Sequence, residues 1–338
     1  MTLNTLENPK ADQVCGISLA HVFKSAGDTL RLDILRVLNK ASFGVQELAH
    51  IFSVPQPGMS HHLKVLAKAG LIVSRREGTS LFYRRPLIHE NSPIKDLLHS
   101  LFVTVDHIEL SDEIKIRIEK IYQDRGSQSR DFFTKNAEDF AENQGRIVSF
   151  KQYASAAEDL ITQTKAESAG LALEIGPGQG ELLVYLASQF DKVIALDNSP
   201  DMLDKSKYAA KKHSLENISF IQGELDQIVE KNLSIDVLAL NMVLHHMPSP
   251  PDAFTTFKKV LNPNGALFIA ELCHHDQEWV KESCGDIWLG FHPDELDEWA
   301  KTSGFKLGNS QYIGMKNGFQ VQLKTFFNID NPKKSLHI

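Results

Sequence analysis

Apolar residues recur at helical spacing early in the chain. Leu30, Ile34, Leu35 and Leu38, within GDTLRLDILRVL, mark one face of a helix. Asp28 is placed to cap its start, and Asn39 stands near its end. A short helix is predicted over Val45–Phe52, burying Leu48, Ile51 and Phe52. SVPQP interrupts it. Pro57, at a first helical position, opens PGMSHHLKVLAKAG, which buries Met59, Leu63 and Leu66 and stops at Gly70. The period then changes: LIVSRREGTSLFYRR reads as a strand, a turn at Glu77-Gly78-Thr79 and a second strand ending in Tyr83.

Further on, Ile94, Leu97, Leu98, Leu101, Phe102, Val105 and Ile108 form a broad apolar helix face, and Ile114, Ile118 and Ile121 a second one. QDRGSQSR, residues 123–130, is polar and predicts a linker. Helices follow, in which Phe132, Phe133, Phe140 and Tyr153 suit either the cover of a pocket or ordinary core. From Leu171 strands and helices alternate: LALEI, ELLVYLASQF, KVIAL, PDMLDKSKYAAKKH, ISFIQ, IDVLALN, AFTTFKKVL, ALFIAEL. That alternation predicts a doubly wound α/β sheet with ligands at the carboxyl ends of its strands. Strands near Gln311–Ile313 and Phe319–Phe327 finish it, with an antiparallel edge as one option.

Charge sharpens the first segment. Residues 17–90 hold ten Lys/Arg against five Asp/Glu in a chain whose net charge is −7, so the remainder is acidic and only the first part invites an anionic partner. Two short helices joined by a tight turn, the second exposing Ser60, His61, Lys64 and Lys68, followed by a hairpin bearing Arg75, Arg76, Arg84 and Arg85, describe a helix-turn-helix with a basic wing. Three scattered cysteines fit a reducing compartment rather than a disulfide framework. With no secretory pattern at the start and no apolar run of membrane length, the expectation is a cytoplasmic protein without a membrane partner.

Over about residues 17–90 the chain resembles the winged-helix core of the ArsR/SmtB transcriptional regulators, carried by GDTLRLDILRVL and PGMSHHLKVLAKAGLIVSRREGTSLFY. The resemblance implies a homodimer whose recognition helices enter successive major grooves of an inverted-repeat operator in double-stranded DNA. Gln56, Pro57, Ser60, His61, Lys64, Arg75, Arg76 and Arg84 are then the DNA-binding candidates, with dimerisation through residues 91–122. Metal-sensing members carry cysteine where this chain has Ser42, Phe43 and Gly44, so thiolate coordination there is excluded. Pro55 replaces a capping serine common in relatives. His99, Asp106, His107 and Glu109 lie where a second family metal site forms, but dimer packing with surface polar residues is the preferred account.

In LALEIGPGQGELL, Gly176, Gly178 and Gly180 are spaced two apart, and Glu181 stands where a dinucleotide fingerprint needs its third glycine. Glycines permit close backbone approach to a ligand. The flanking Glu174 and Glu181 suit a cationic head better than a diphosphate. Asp197, one strand on, is placed to hold ribose hydroxyls, and Glu224 with Leu225 to read an adenine. Together these parts resemble the Rossmann-like S-adenosylmethionine-dependent methyltransferases over about residues 130–327. The resemblance implies S-adenosylmethionine or S-adenosylhomocysteine held by Glu174, Gly176, Gly178, Gly180, Asp197, Met202, Glu224, Leu225 and Asn241.

The expected organisation is therefore multidomain. An α-rich winged helix-turn-helix (1–90), dimerisation helices with a linker (91–128) and an α/β doubly wound Rossmann-like methyltransferase domain (129–338) follow one another. Bacterial chains with this fusion include regulators that respond to S-adenosylhomocysteine. Two readings stand side by side: a repressor that senses the nucleoside, and an active methyltransferase for a small-molecule acceptor that carries a DNA-binding module. His245 and His246 are the candidate catalytic bases, with His274, His275 and Asp276 behind them. Cys273, His274, His275 and Cys284 have no recognised metal spacing; buried thiols are preferred and no metal is expected. DNA methylation is disfavoured, because NMVLHHMP replaces the motifs it needs after the fourth strand.

Overall fold

The computed structural model describes residues 19–39, 41–88, 91–164, 170–231, 233 and 235–329, without the side chains of 137–141. Cys15, one of the three cysteines, and the side chain of Phe140 lie outside these. The chain divides into two units between Tyr122 and Gln123.

The first unit contains α1 (Leu19–Ala26), α2 (Thr29–Val37), β1 (Phe43–Gly44), α3 (Val45–Phe52), α4 (Gln56–Lys68), β2 (Val73–Glu77), β3 (Ser80–Arg84), α5 (Lys95–Asp106) and the start of α6 (Asp112–Ile147). Asp28 caps α2 as its sequence predicts, accepting from the Arg31 amide at 3.0 Å. Helix α4 begins one residue earlier than predicted. Pro55 occupies the cap without any side-chain hydrogen bond, and Pro57 falls inside the first turn. Ile34, Leu35, Leu48, Ile51, Met59, Leu63 and Leu66 are fully buried in one core. Strands β1, β3 and β2 form a three-stranded antiparallel sheet.

Leu98, Phe102 and Val105 of α5 join the core, and Ile94, Leu97 and Leu101 pack against it. Much of the broad apolar face thus serves its own unit, while Val103 and Ile108 stay exposed. Arg85 was expected to reach phosphates; it is buried instead. Its guanidinium makes two bonds to Asp106, at 2.6 and 2.9 Å, donates to the Leu35 carbonyl at 2.7 Å and stacks over Phe102.

The predicted linker at 123–130 is helix: α6 runs through it without a break. Arg125 explains how a polar stretch is held helical. It is buried, donates to the Pro248 carbonyl at 2.9 Å and lies over the Trp288 ring. Gly126 costs such a helix only about 1 kcal/mol.

The second unit continues with a 3-10 turn at Phe150–Gln152, α7 (Ala154–Thr164), β4 (Leu171–Ile175), α8 (Glu181–Gln189), β5 (Lys192–Asp197), α9 (Pro200–Lys212) and β6 (Ile218–Gln222). Next come α10 (Asp226–Glu230), β7 (Ile235–Asn241), α11 (Pro250–Val260), β8 (Leu261–Leu272), α12 (Trp279–Cys284), α13 (Pro293–Thr302), β9 (Phe305–Gly314) and β10 (Gln320–Asn328). The seven strands are ordered β6-β5-β4-β7-β8-β10-β9. Five are parallel, and β10 runs antiparallel to both β8 and β9, which settles the edge. The order reverses between β4 and β7, so the loops after these strands flank the crevice where such sheets take ligands. Among the described residues no helix is long and apolar enough to cross a membrane.

Removing Asp106 leaves the Arg85 guanidinium buried without its carboxylate. Asp106→Ala is expected to destabilise the first unit by about 2–3 kcal/mol, seen as a lower urea midpoint by circular dichroism.

Candidate functional site

The first unit presents a polar face on α4. Gln56, Pro57, Ser60, His61, Lys64 and Lys68 are exposed, opposite the buried Met59, Leu63 and Leu66. His62 turns inward, its Nδ1 3.9 Å from Asp28. The hairpin arginines divide by environment. Arg76 is exposed, and Arg84 is half-buried with one bond to the Arg85 carbonyl at 3.1 Å. Arg75 is largely covered and pairs at 2.5 Å with the buried Glu77 carboxylate.

In the second unit, Glu174 is the penultimate residue of β4 and is 1% exposed. Its Oε2 has no hydrogen-bond partner among the described residues, and neither does Nε2 of Gln179 in the following loop. Burial, then the nearby Asp197, pushes the Glu174 carboxyl up to about 8. Asp197 ends β5 and rises to about 6 through burial, with Glu224 adding to it, although its Oδ1 accepts the Ser199 amide at 2.9 Å. A buried acceptor and a buried donor facing one loop, both unsatisfied, fit a polar ligand.

The glycines have separate reasons. A Cβ on Gly176 would lie 2.6 Å from the Val243 side chain, and one on Gly180 would lie 2.9 Å from Ala209 on α9. Only Gly178 faces open space, with nothing closer than 4.0 Å, and its φ of +54° still demands glycine. Ligand approach therefore accounts for one glycine of three. Glu224 is exposed and accepts from Asn198 at 2.9 Å and Arg130 at 3.3 Å. Met202 is buried against Phe132 and Phe133. Leu225, half-buried, caps α10. Asn241 accepts from the Tyr153 hydroxyl at 2.7 Å. The next residue, Met242, is buried at a φ of +55°, a left-handed turn that carries the chain from β7 into the histidine loop.

His245 and His246 follow. His245 is 3% exposed, with Nδ1 2.6 Å from Glu271 and Nε2 3.8 Å from Asp286. Burial works against its charge, but Glu271 and Asp286 outweigh it and lift the imidazole to about 9. A ring enclosed by two carboxylates and already protonated does not serve as a general base. His246 goes the other way, held neutral by burial and the adjacent His245; its ring meets Phe133 edge-on. His275 is likewise depressed to about 4 by burial and by His245, while His274 bonds the Leu289 carbonyl at 3.1 Å. Cys273 and Cys284 are buried, and burial pushes both thiols up to about 12.

Residues 28–74 match the family described as bacterial regulatory protein, arsR family, and residues 166–303 match the methyltransferase domain family. The uncharacterized HTH-type transcriptional regulator MJ1325 of Methanocaldococcus jannaschii is 45% identical over 65 residues, 19% of this chain and 73% of that protein. The chain belongs to the arsR family. The HTH-type transcriptional regulator KmtR of Mycobacterium tuberculosis is 34% identical to this arsR-family chain over 96 residues, 28% of it and 69% of KmtR. Behind the regulator module stands a methyltransferase domain, similar to the ubiquinone biosynthesis O-methyltransferase of Coxiella burnetii at 24% identity over 165 residues, 44% of this chain and 70% of that one.

Sequence reading overlooked Glu271, Asp286 and Arg130 in this arsR-family member. Glu271 stands next to last in the apolar run ALFIAEL, and an acid inside a buried strand was a usable signal. Asp286 and Arg130 gave none, since their partners lie about 40 and 94 residues away.

Glu174 also fixes a pH dependence. Its carboxyl is raised from an ordinary 4.5 to about 8, so folding takes up a proton between those values and stability falls as pH rises through that interval. Without ligand, Glu174→Gln is expected to stabilise the chain by a few kcal/mol at pH 8–9 and to flatten that slope. Thermal melts across pH 5–9 check it.

Proposed function

We propose that this protein is a DNA-binding transcriptional repressor whose methyltransferase domain binds S-adenosylmethionine or S-adenosylhomocysteine as the sensed ligand. The observation that carries the reading is the pair of raised carboxylates at adjacent strand ends, the buried Glu174 and the half-buried Asp197, beside a loop with an unsatisfied donor. A ligand with hydroxyl and ammonium donors relieves both acids, whereas a diphosphate repels them.

In this reading Asp197 holds the ribose, Met202 lies beneath the adenine, Glu224 and Leu225 read its edge, and Asn241 meets the amino-acid end. Gly176, Gly178 and Gly180 shape the loop. The sulfonium form supplies an activated methyl when bound. The enclosure of His245 by Glu271 and Asp286 favours sensing over transfer, because it removes the nearest candidate base from use. Gln56, Pro57, Ser60, His61 and Lys64 meet DNA, with Arg76 and Arg84 of the wing. Residues 91–122 join two copies, so that paired recognition helices match an inverted repeat.

Sensing requires the ligand to bind the DNA-competent and DNA-incompetent states differently; each tenfold preference corresponds to about 1.4 kcal/mol. Operator gel shifts titrated separately with each nucleoside are expected to show at least a tenfold change with one of them. No response to either leaves the alternative, an active small-molecule methyltransferase with a DNA-binding module. Asp197→Ala is expected to abolish nucleoside binding by calorimetry and to leave ligand-free operator affinity within about twofold.

A further inference from the structure

His245, His246 and Asp286 converge from two separate loops. The structure assigns them, we infer, to a binding site for a first-row divalent metal ion of the zinc class. One donor atom from each of the three lies within 4.8 Å of the other two. The side chains are 4%, 9% and 1% exposed.

The separations themselves discriminate. Asp286 Oδ1 is 3.8 Å from His245 Nε2 and 4.0 Å from His246 Nδ1, too long for hydrogen bonds to either ring; His246 Nδ1 meets the Gly285 carbonyl at 3.2 Å, a contact that an ion at this nitrogen replaces. Two donors bound to one tetrahedral ion at about 2.0–2.1 Å stand roughly 3.4 Å apart, so each of the two carboxylate–imidazole separations needs to close by only about half an ångström. The three, with Met242 and Cys284 among others, line a small cavity of about 10 Å³, about the size of one ion or water.

The surrounding shell agrees. Glu271 accepts at 2.6 Å from the His245 nitrogen that faces away from Asp286; an ion binds the opposite nitrogen by displacing its proton, and a carboxylate behind a ligating imidazole orients it. Glu271 is fixed in turn by the His245 and Leu272 amides, at 3.1 and 2.6 Å. Two imidazoles and a carboxylate, with a thiol at the border, select zinc-like ions over calcium or magnesium. Cys273, His274 and His275, the cluster that stands out in the sequence, supply no donor.

The test uses the full chain stripped with chelator and titrated with Co²⁺, whose visible absorption reports coordination by nitrogen and oxygen donors. One saturable equivalent per chain is expected, displaced by Zn²⁺, without nucleoside or DNA, so the outcome is separate from the sensor reading. Asp286→Asn and His246→Gln should each weaken binding at least tenfold with unchanged circular dichroism, and His246→Gln decides alone if Asp286→Asn does not fold. The double variant His99→Gln/His107→Gln should leave binding intact. Absence of saturable absorption overturns the assignment, as does binding that survives His246→Gln and vanishes in the double variant.

Discussion

Burial of the Glu174 carboxylate is the constraint on which the second unit turns. An ionised carboxylate taken out of water costs several kcal/mol unless it is paired, and an unpaired one takes up a proton instead. Here it sits on β4, the strand at which the sheet order reverses, and faces Asp197 on the neighbouring strand. The glycine loop, the left-handed Met242 and the packing of α8 on α9 all surround that point. A fold that only required stability would place an apolar residue there, because a buried carboxyl without a charged partner costs folding energy once it ionises.

The first unit divides its basic residues in a way that net charge conceals. Arg85 binds Asp106 and the Leu35 carbonyl, and Arg75 is held by Glu77. Lys64, Lys68 and Arg76 remain exposed. The excess of positive charge in this segment therefore overstates the cations available to phosphates, because a guanidinium with five donors is also an efficient bridge within a fold.

The histidines show the same principle in reverse. Two His-His pairs stand at strand ends, and in sequence they look alike. In space one pair is enclosed by Glu271 and Asp286, while His274 and His275 contact backbone and Phe319. Glu271 and Asp286 hold His245 charged, whereas burial and the adjacent His245 keep His246 neutral, although the two are consecutive. Identity and spacing named the chemistry available; the surroundings distributed it.

Local features were legible because they act within a few residues. The Asp28 cap, the buried face of α4, the turn at Gly78 and the strand–helix alternation from Leu171 each depend on periodicity, a cap or a φ that the chain declares in place. The acids at the ends of β4 and β5 were legible for the same reason: strand ends and glycines are local marks. Continuity of α6 through QDRGSQSR was not, since it rests on Arg125 reaching Pro248 and Trp288. The same holds for Arg85 and its bonds 21 and 50 residues away, for the packing duties of Gly176 and Gly180, and for Asp286 beside His245. The sequence by itself determined most of the elements and their order. Tertiary structure decided which charged groups stay in water and which are buried together, because that depends on desolvation and on partners distant along the chain.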